Sequence, residues 1–218
     1  MKAKICGVKN FETLNFIINH KYPPKFLGFI CNYRKSKRYL NYKNLKKLLN
    51  RKKKKKIKFV SVLVNPNEII LRKIKKLNFD YLQLYDVSPE KTKVIKKKFK
   101  IKIITAITVK NLKDVLKYKN FVNISEIILF DSKGYEKSLG FNHQLLKNVT
   151  HPINKMLAGN IKYNDKLDKY EKITDIIDIS GSLETRGEKD NLKIDKFLRN
   201  IKKVNDKDKK KNSANRSA

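Results

Sequence analysis

Cysteine is scarce in this chain. Of 218 residues only Cys6 and Cys31 carry a thiol, which excludes a disulfide framework, and no second cysteine or histidine sits at metal-ligand spacing from either. No metal site is expected, and two free thiols suit a reducing cytoplasm. Histidine is nearly as rare, at His20, His143 and His151. Glycine occurs seven times and never as the G-x-G-x-x-G of dinucleotide-binding turns. No apolar run approaches the ~18 residues of a membrane span. The opening MKAKICGVKN lacks the apolar stretch of a secretory signal. No membrane partner is expected.

Acidic residues are also few, 20 against 54 Lys and Arg, giving a formal net charge of +34. That balance invites a nucleic-acid reading. Only seven of the basic residues are arginine, however. Arginine's planar fork reads bases and clamps phosphates, whereas lysine is a hydrated point charge. The lysines are spread along the whole chain, and runs of charge mostly solvate a surface. No specific nucleic-acid partner is expected. The densest run, RKKKKKIKF from Arg51 to Phe59, reads as an exposed loop.

What the chain does have is 40 % apolar residues, enough to bury a core, arranged as eight alternations of a short β-rich run and a helix-length amphipathic stretch. The strands are expected at Ala3–Cys6, Phe26–Cys31, Phe59–Val64, Tyr81–Leu84, Lys102–Ile107, Glu126–Phe130, Lys155–Ala158 and Asp175–Ile179. The helices are expected at Phe11–Asn19, Tyr42–Arg51, Pro66–Lys76, Pro89–Phe99, Val109–Lys117, Asn142–Lys147, Asn164–Lys172 and Asn191–Val204. Ser88 and Pro89 read as cap and first turn of the fourth helix. Such alternation with apolar strands predicts an α/β fold, a parallel sheet covered by helices. Eight units in about 200 residues fit a (β/α)8 barrel forming a single domain over 1–204. An open doubly wound sheet usually has fewer strands and a glycine-rich first turn, where this chain has CGVKN. The basic tail, 205–218, lacks periodicity and is expected to be disordered.

In a barrel, function gathers where strands end and βα loops begin. The histidines lie elsewhere, so histidine chemistry is not expected. Cys6 closes the first strand and Asp131 the sixth, on opposite sides of the mouth. A thiolate there can abstract a proton and a carboxylic acid can donate one. The plainer reading makes Cys6 a small core residue, since free cysteine is among the most buried residue types, and Asp131 a loop cap. Strands seven and eight end in LAGN and ISGS. Small residues at both let backbone N–H groups approach an anion, and barrels often bind phosphate at this pair of loops.

Several segments, taken in order, resemble the phosphoribosylanthranilate isomerases. They are KICGVKN (Lys4–Asn10), GFICNYRKSKRYL (Gly28–Leu40), VSVLVN (Val60–Asn65), YLQL (Tyr81–Leu84), ILFDS (Ile128–Ser132), LAGNI (Leu157–Ile161) and DISGSLET with KD soon after (Asp178–Asp190). The resemblance runs to about Val204 and implies an Amadori rearrangement of N-(5-phosphoribosyl)anthranilate within tryptophan biosynthesis. It also implies the roles. Asp131 would be the general acid on the furanose oxygen and Cys6 the base at C2′. Arg38 would hold the anthranilate end, Gln83 would contact the substrate, and Gly159, Asn160, Ser180, Gly181 and Ser182 would surround the phosphate. The family needs no metal or organic cofactor, because an iminium already serves as electron sink. Its partner is a small phosphorylated substrate, and its members are monomers or homodimers.

This chain departs from the family in four places. Tyr85-Asp86 stands where His-Gly is usual, Gly159-Asn160 replaces a double glycine, and Ser180-Gly181-Ser182 replaces Ser-Ser-Gly. KGYEKSLGFNH (Lys133–His143) replaces a glycine-rich stretch. Two rivals remain. The related histidine-pathway isomerase would carry an aspartate where Cys6 stands. A catalytically inactive basic barrel would bind RNA or anionic surfaces, with an affinity falling steeply with salt. Cys6 and Cys31, on neighbouring strands, are also a candidate pair for joint oxidation.

Overall fold

Eight parallel strands close on themselves in sequence order. They are β1 (Lys2–Cys6), β2 (Phe26–Ile30), β3 (Lys58–Val64), β4 (Tyr81–Tyr85), β5 (Lys102–Val109), β6 (Ile127–Ser132), β7 (Asn154–Leu157) and β8 (Ile176–Ile179), with β8 pairing back onto β1. The computed structural model describes residues 1–50, 56–132 and 139–214, with side-chain burial through residue 208. Positions 51–55 of the lysine run and 133–138 of the loop after β6 lie outside the described residues.

Strand alternation divides the core in two. Ala3, Ile5, Leu27, Phe29, Phe59, Leu63, Leu82, Leu84, Ile103, Ile128 and Phe130 point outward and pack with the helices into one large apolar cluster. The opposite parity fills the barrel with Cys6, Phe26, Val60, Val62, Tyr85, Ile104, Ala106, Leu129, Met156 and Ile176. Three polar residues of that inward parity, Lys4, Gln83 and Asp178, are buried with them.

The helices are α1 (Phe11–Asn19), α2 (Tyr42–Leu49), α3 (Glu68–Lys75), α4 (Pro89–Phe99), α5 (Leu112–Leu116) and α6 (Asn191–Ala214). Asn10, Asn41, Asn67, Ser88 and Asn111 each cap a helix, accepting from a backbone N–H in its first turn. Ser88 and Pro89 act as expected.

Three expected helices depart from the pattern. The fifth begins only at Leu112, because β5 runs on to Val109 in register with Asp131 and Ser132. It passes into a 3-10 turn at Lys117–Phe121. The sixth and seventh are single 3-10 turns, His143–Asn148 and Leu167–Tyr170, each burying only one or two side chains. A longer helix there has too little apolar face to offset its ordering. At the other extreme, α6 continues past Val204 to Ala214. Asn205, on that extension, accepts from the Met1 ammonium at 2.7 Å and donates to the Met1 carbonyl at 3.0 Å.

Between β8 and α6 lies a segment with no expected element. A 3-10 turn, Gly181–Leu183, leads into a hairpin of β9 (Glu184–Thr185) and β10 (Glu188–Lys189). Arg186 and Gly187 form its two-residue turn with φ of 52° and 81°, the sign a primed turn requires. The hairpin sets Glu184 opposite Lys189.

Candidate active site

A cavity of about 340 Å³ opens at the C-terminal mouth of the barrel. Cys6, Arg38, Asp131, Gly159, Asn160, Ser180, Gly181 and Ser182 all line it, together with Tyr85, Asp178 and Lys162. Gln83 does not. It lies two residues earlier on β4, fully buried inside the barrel, and its Nε2 donates to the Tyr85 hydroxyl at 3.2 Å. The expected substrate contact is thus displaced inward by one layer of the strand.

Cys6 ends β1 facing inward, in register with Gly28. A Cβ on Gly28 would stand 2.8 Å from the Cys6 sulfur and 3.2 Å from Lys4 Nζ, so a bare strand position makes room for both. Lys4 Nζ, itself fully out of solvent, donates to Asp178 Oδ2 at 2.7 Å. Burial works against the Lys4 charge, but Asp178 and the Cys6 sulfur outweigh it and raise its pKa. Burial pushes the Cys6 thiol up, opposed by the ammonium groups of Lys4 and Lys189. A thiolate formed here therefore faces a fixed positive charge.

Gly7 explains the glycine after Cys6. Its φ is 77°, and a Cβ there would fall 2.3 Å from Arg38 Cδ. Arg38 thus lies directly across the end of β1. The turn that brings it there is built from S-x-R-Y: Ser36 N donates to Tyr33 O at 3.1 Å, Arg38 N to Ser36 Oγ at 3.2 Å, and Tyr39 bridges Ile30. Glu184 accepts from Arg38 Nε and Nη2 at 2.6 and 2.8 Å, a bidentate pair that fixes the guanidinium plane. Lys189 Nζ donates to Glu184 at 2.6 Å and to the Ser180 carbonyl at 3.1 Å.

Asp131 projects from the end of β6. Its Oδ1 accepts from Ser132 N at 2.8 Å and its Oδ2 from the Tyr85 hydroxyl at 2.8 Å. Burial raises its carboxyl to about 6, against the pull of those two donors. That leaves a group able to carry a proton near neutral pH.

The loops after β7 and β8 line the cavity with Gly159, Asn160, Ser180, Gly181 and Ser182. The Ser180 hydroxyl donates to the Cys6 carbonyl at 3.0 Å, and the Ser182 hydroxyl accepts from Tyr163 N at 2.8 Å, which leaves its own proton free to donate. Lys162 lies beside these loops on the cavity wall. His143 bonds the Gly159 carbonyl at 2.9 Å and packs against Phe141 and Tyr170, so it braces this loop. Cys31 sits on the other face of its sheet. It packs with the outer cluster and donates to the Phe29 carbonyl, while Cys6 points inward. The two thiols are not arranged for a joint disulfide.

Sequence reasoning missed Lys4, Asp178, Glu184 and Lys189, and noted Tyr85 only as a departure from the family. Parity was the available signal: Lys4 and Asp178 stand two residues before Cys6 and Ser180, on the same strand face. For Glu184 and Lys189 the signal lay in the Arg-Gly turn between them.

The family model described as N-(5′-phosphoribosyl)anthranilate (PRA) isomerase matches residues 3–200. The N-(5′-phosphoribosyl)anthranilate isomerase of Clostridium acetobutylicum is 31% identical, over 93% of this chain and 98% of that one. That of Campylobacter jejuni is 32% identical, over 93% of this chain and 100% of its own. Among solved structures, phosphoribosyl anthranilate isomerase from Thermotoga maritima superposes with a TM-score of 0.81 at 25% identity, covering 93% of this chain and 98% of that one. Another of the same name, solved with reduced 1-(o-carboxyphenylamino)-1-deoxyribulose 5-phosphate, gives 0.79 at 24% identity over the same shares.

Proposed function

The chain belongs to the N-(5′-phosphoribosyl)anthranilate isomerase family, and from that premise we infer how its residues carry out the rearrangement. The reaction is the conversion of N-(5-phosphoribosyl)anthranilate to 1-(2-carboxyphenylamino)-1-deoxyribulose 5-phosphate in tryptophan biosynthesis. The observation that carries the assignment of roles is the meeting of Cys6, Asp131 and the two small-residue loops in one cavity.

Asp131 gives its proton to the furanose ring oxygen as the C1′–O bond breaks. The amine lone pair moves in to form a C1′=N iminium. That cation acidifies the C2′ hydrogen, and the Cys6 thiolate takes it. The C–H electrons become a C1′=C2′ double bond and neutralise the nitrogen, leaving an enolamine. Protonation at C1′ and loss of the C2′ hydroxyl proton then give the ketone. Cys6 ends protonated and Asp131 ionised, so one net proton returns between them through solvent. The amide groups of Gly159, Asn160, Gly181 and Ser182 hold the phosphate with Lys162. Ser180 shapes that cradle, and Arg38, oriented by Glu184, meets the anthranilate carboxylate.

Strand one carries a cysteine, which sets the chain apart from a barrel using aspartate at that place. The small phosphorylated substrate is its partner, and two free thiols suit the reducing cytoplasm. The test is consumption of N-(5-phosphoribosyl)anthranilate by the purified chain, followed as loss of its fluorescence, with product identified by chromatography. A rate no faster than buffer alone would overturn the reading.

A further inference from the structure

Tyr85 stands where the resembled family usually has histidine, and the residue type has no account in the sequence. The structure supplies one. Strand alternation sends Gln83 and Tyr85 to the same inner face of β4, and β6 sends Asp131 to the same mouth. The three form a directed line: Gln83 Nε2 donates to the Tyr85 oxygen at 3.2 Å, and Tyr85 donates to Asp131 Oδ2 at 2.8 Å. An ionised carboxylate only accepts, so the phenol proton points to Asp131 and Gln83 must turn its NH2 to the tyrosine.

We propose that Tyr85 is a positioning residue for the rearrangement, its hydroxyl holding Asp131 in one orientation and stabilising the carboxylate left when the proton is delivered. This rests on the role given to Asp131 above. Ser132 N–H already occupies Oδ1 at 2.8 Å and Tyr85 occupies Oδ2. The acid proton is left to the remaining lone pairs of a side chain that lines the cavity. A hydrogen bond to a charged acceptor is about twice as strong as one to a neutral acceptor. The Tyr85 bond therefore strengthens as the proton leaves for the ring oxygen, which stabilises the transition state more than the bound substrate. Burial and the facing carboxylate hold the Tyr85 phenol well above its usual pKa, so it remains a donor throughout the working range.

Charged and titratable groups around Asp131 come from several elements. Tyr85 is on β4, Asp178 on β8, and Lys4 on β1. Only Tyr85 is removed in the test. Tyr85→Phe keeps the ring and deletes the donor. It should lower kcat about tenfold with KM changed far less, the loss of one hydrogen bond to a charged acceptor rather than of the acid itself. The alkaline limb of the kcat profile should also move up by about one pH unit, because a carboxyl deprived of a donor to its ionised form keeps its proton longer. The 13C carboxyl resonance of Asp131 in the substrate-free protein should titrate higher by a similar amount. Site-specific 3-fluorotyrosine at position 85, a stronger donor of nearly the same shape, should move both midpoints down. It also serves if the phenylalanine variant does not fold. Superimposable limbs and carboxyl titrations would overturn the proposal. If the wild type fails to consume the substrate, the functional reading falls, while the carboxyl titration still decides whether Tyr85 governs Asp131.

Discussion

Asp131 is bound by two donors and still has its carboxyl raised to about 6 by burial. An aspartate in the unfolded chain titrates near 3.9. The folded form therefore holds its proton more tightly, and the stability it contributes is intact below pH ~4 and lost as pH rises through about 6. An amide at this position carries no such cost. Asp131→Asn should accordingly gain stability relative to wild type as pH rises from 4 to 8, by on the order of 2 kcal/mol, read as a widening gap in urea midpoints. A gap that stays constant with pH would mean the carboxyl is not raised. The place of Cys6 and Asp131 at the cavity was legible in the sequence because both end strands, while their roles came from the family resemblance. Lys4 and Asp178 were hidden among surface-like charges, in a chain where lysine is everywhere. Only their strand parity separates them from solvated residues, and burying such a pair requires each partner to satisfy the other.

At the scale of elements, the strands and the first four helices were legible, while the later connections were not. A β-run in this barrel is buried on both faces, so its apolar character reads plainly. The connections after β6 and β7 bury too few side chains to show a period, and appear as 3-10 turns. The hairpin after β8 is too short for any pattern, yet it sets Glu184 against Arg38 and Lys189 against Ser180. Pairing between β1 and β2 carries its own prediction. Gly28→Ala would bring a methyl to 2.8 Å from the Cys6 sulfur. Overpacking of this kind costs about 1–3 kcal/mol. Here the atoms that must move belong to Cys6 and Lys4, so kcat should fall as well, by up to about 10²-fold for a base moved by about 1 Å. Stability lost with kcat unchanged would show that the sulfur's position does not matter to turnover.

For the molecule as a whole, ring closure brings Met1 against α6 at the face opposite the cavity. The Met1 ammonium and carbonyl both bond Asn205, on the stretch of α6 beyond Val204. Aperiodic composition hid this extension, because a polar helix anchored only by polar side chains, Asn205 on Met1 and Lys207 on Asp168, looks like a tail. Asn205→Ala removes a charged and a neutral hydrogen bond, at a cost of about 1–2 kcal/mol. For a domain of this size that is a Tm lower by about 3–6 °C, with kcat unaffected at the far mouth. An unchanged Tm would show that the clasp contributes nothing. The net charge of +34 sits outside this account of catalysis, since the exposed ion pairs it forms are each worth little.

The measurement that bears most directly on the account is kcat for N-(5-phosphoribosyl)anthranilate in wild type, Cys6→Ala and Asp131→Asn, each with its fold verified by circular dichroism. Wild type should turn over, and each variant should be slower by a factor on the order of 10² or more. Wild-type rates in either folded variant would contradict the pairing of a sulfur base with a carboxyl acid across the mouth of this barrel.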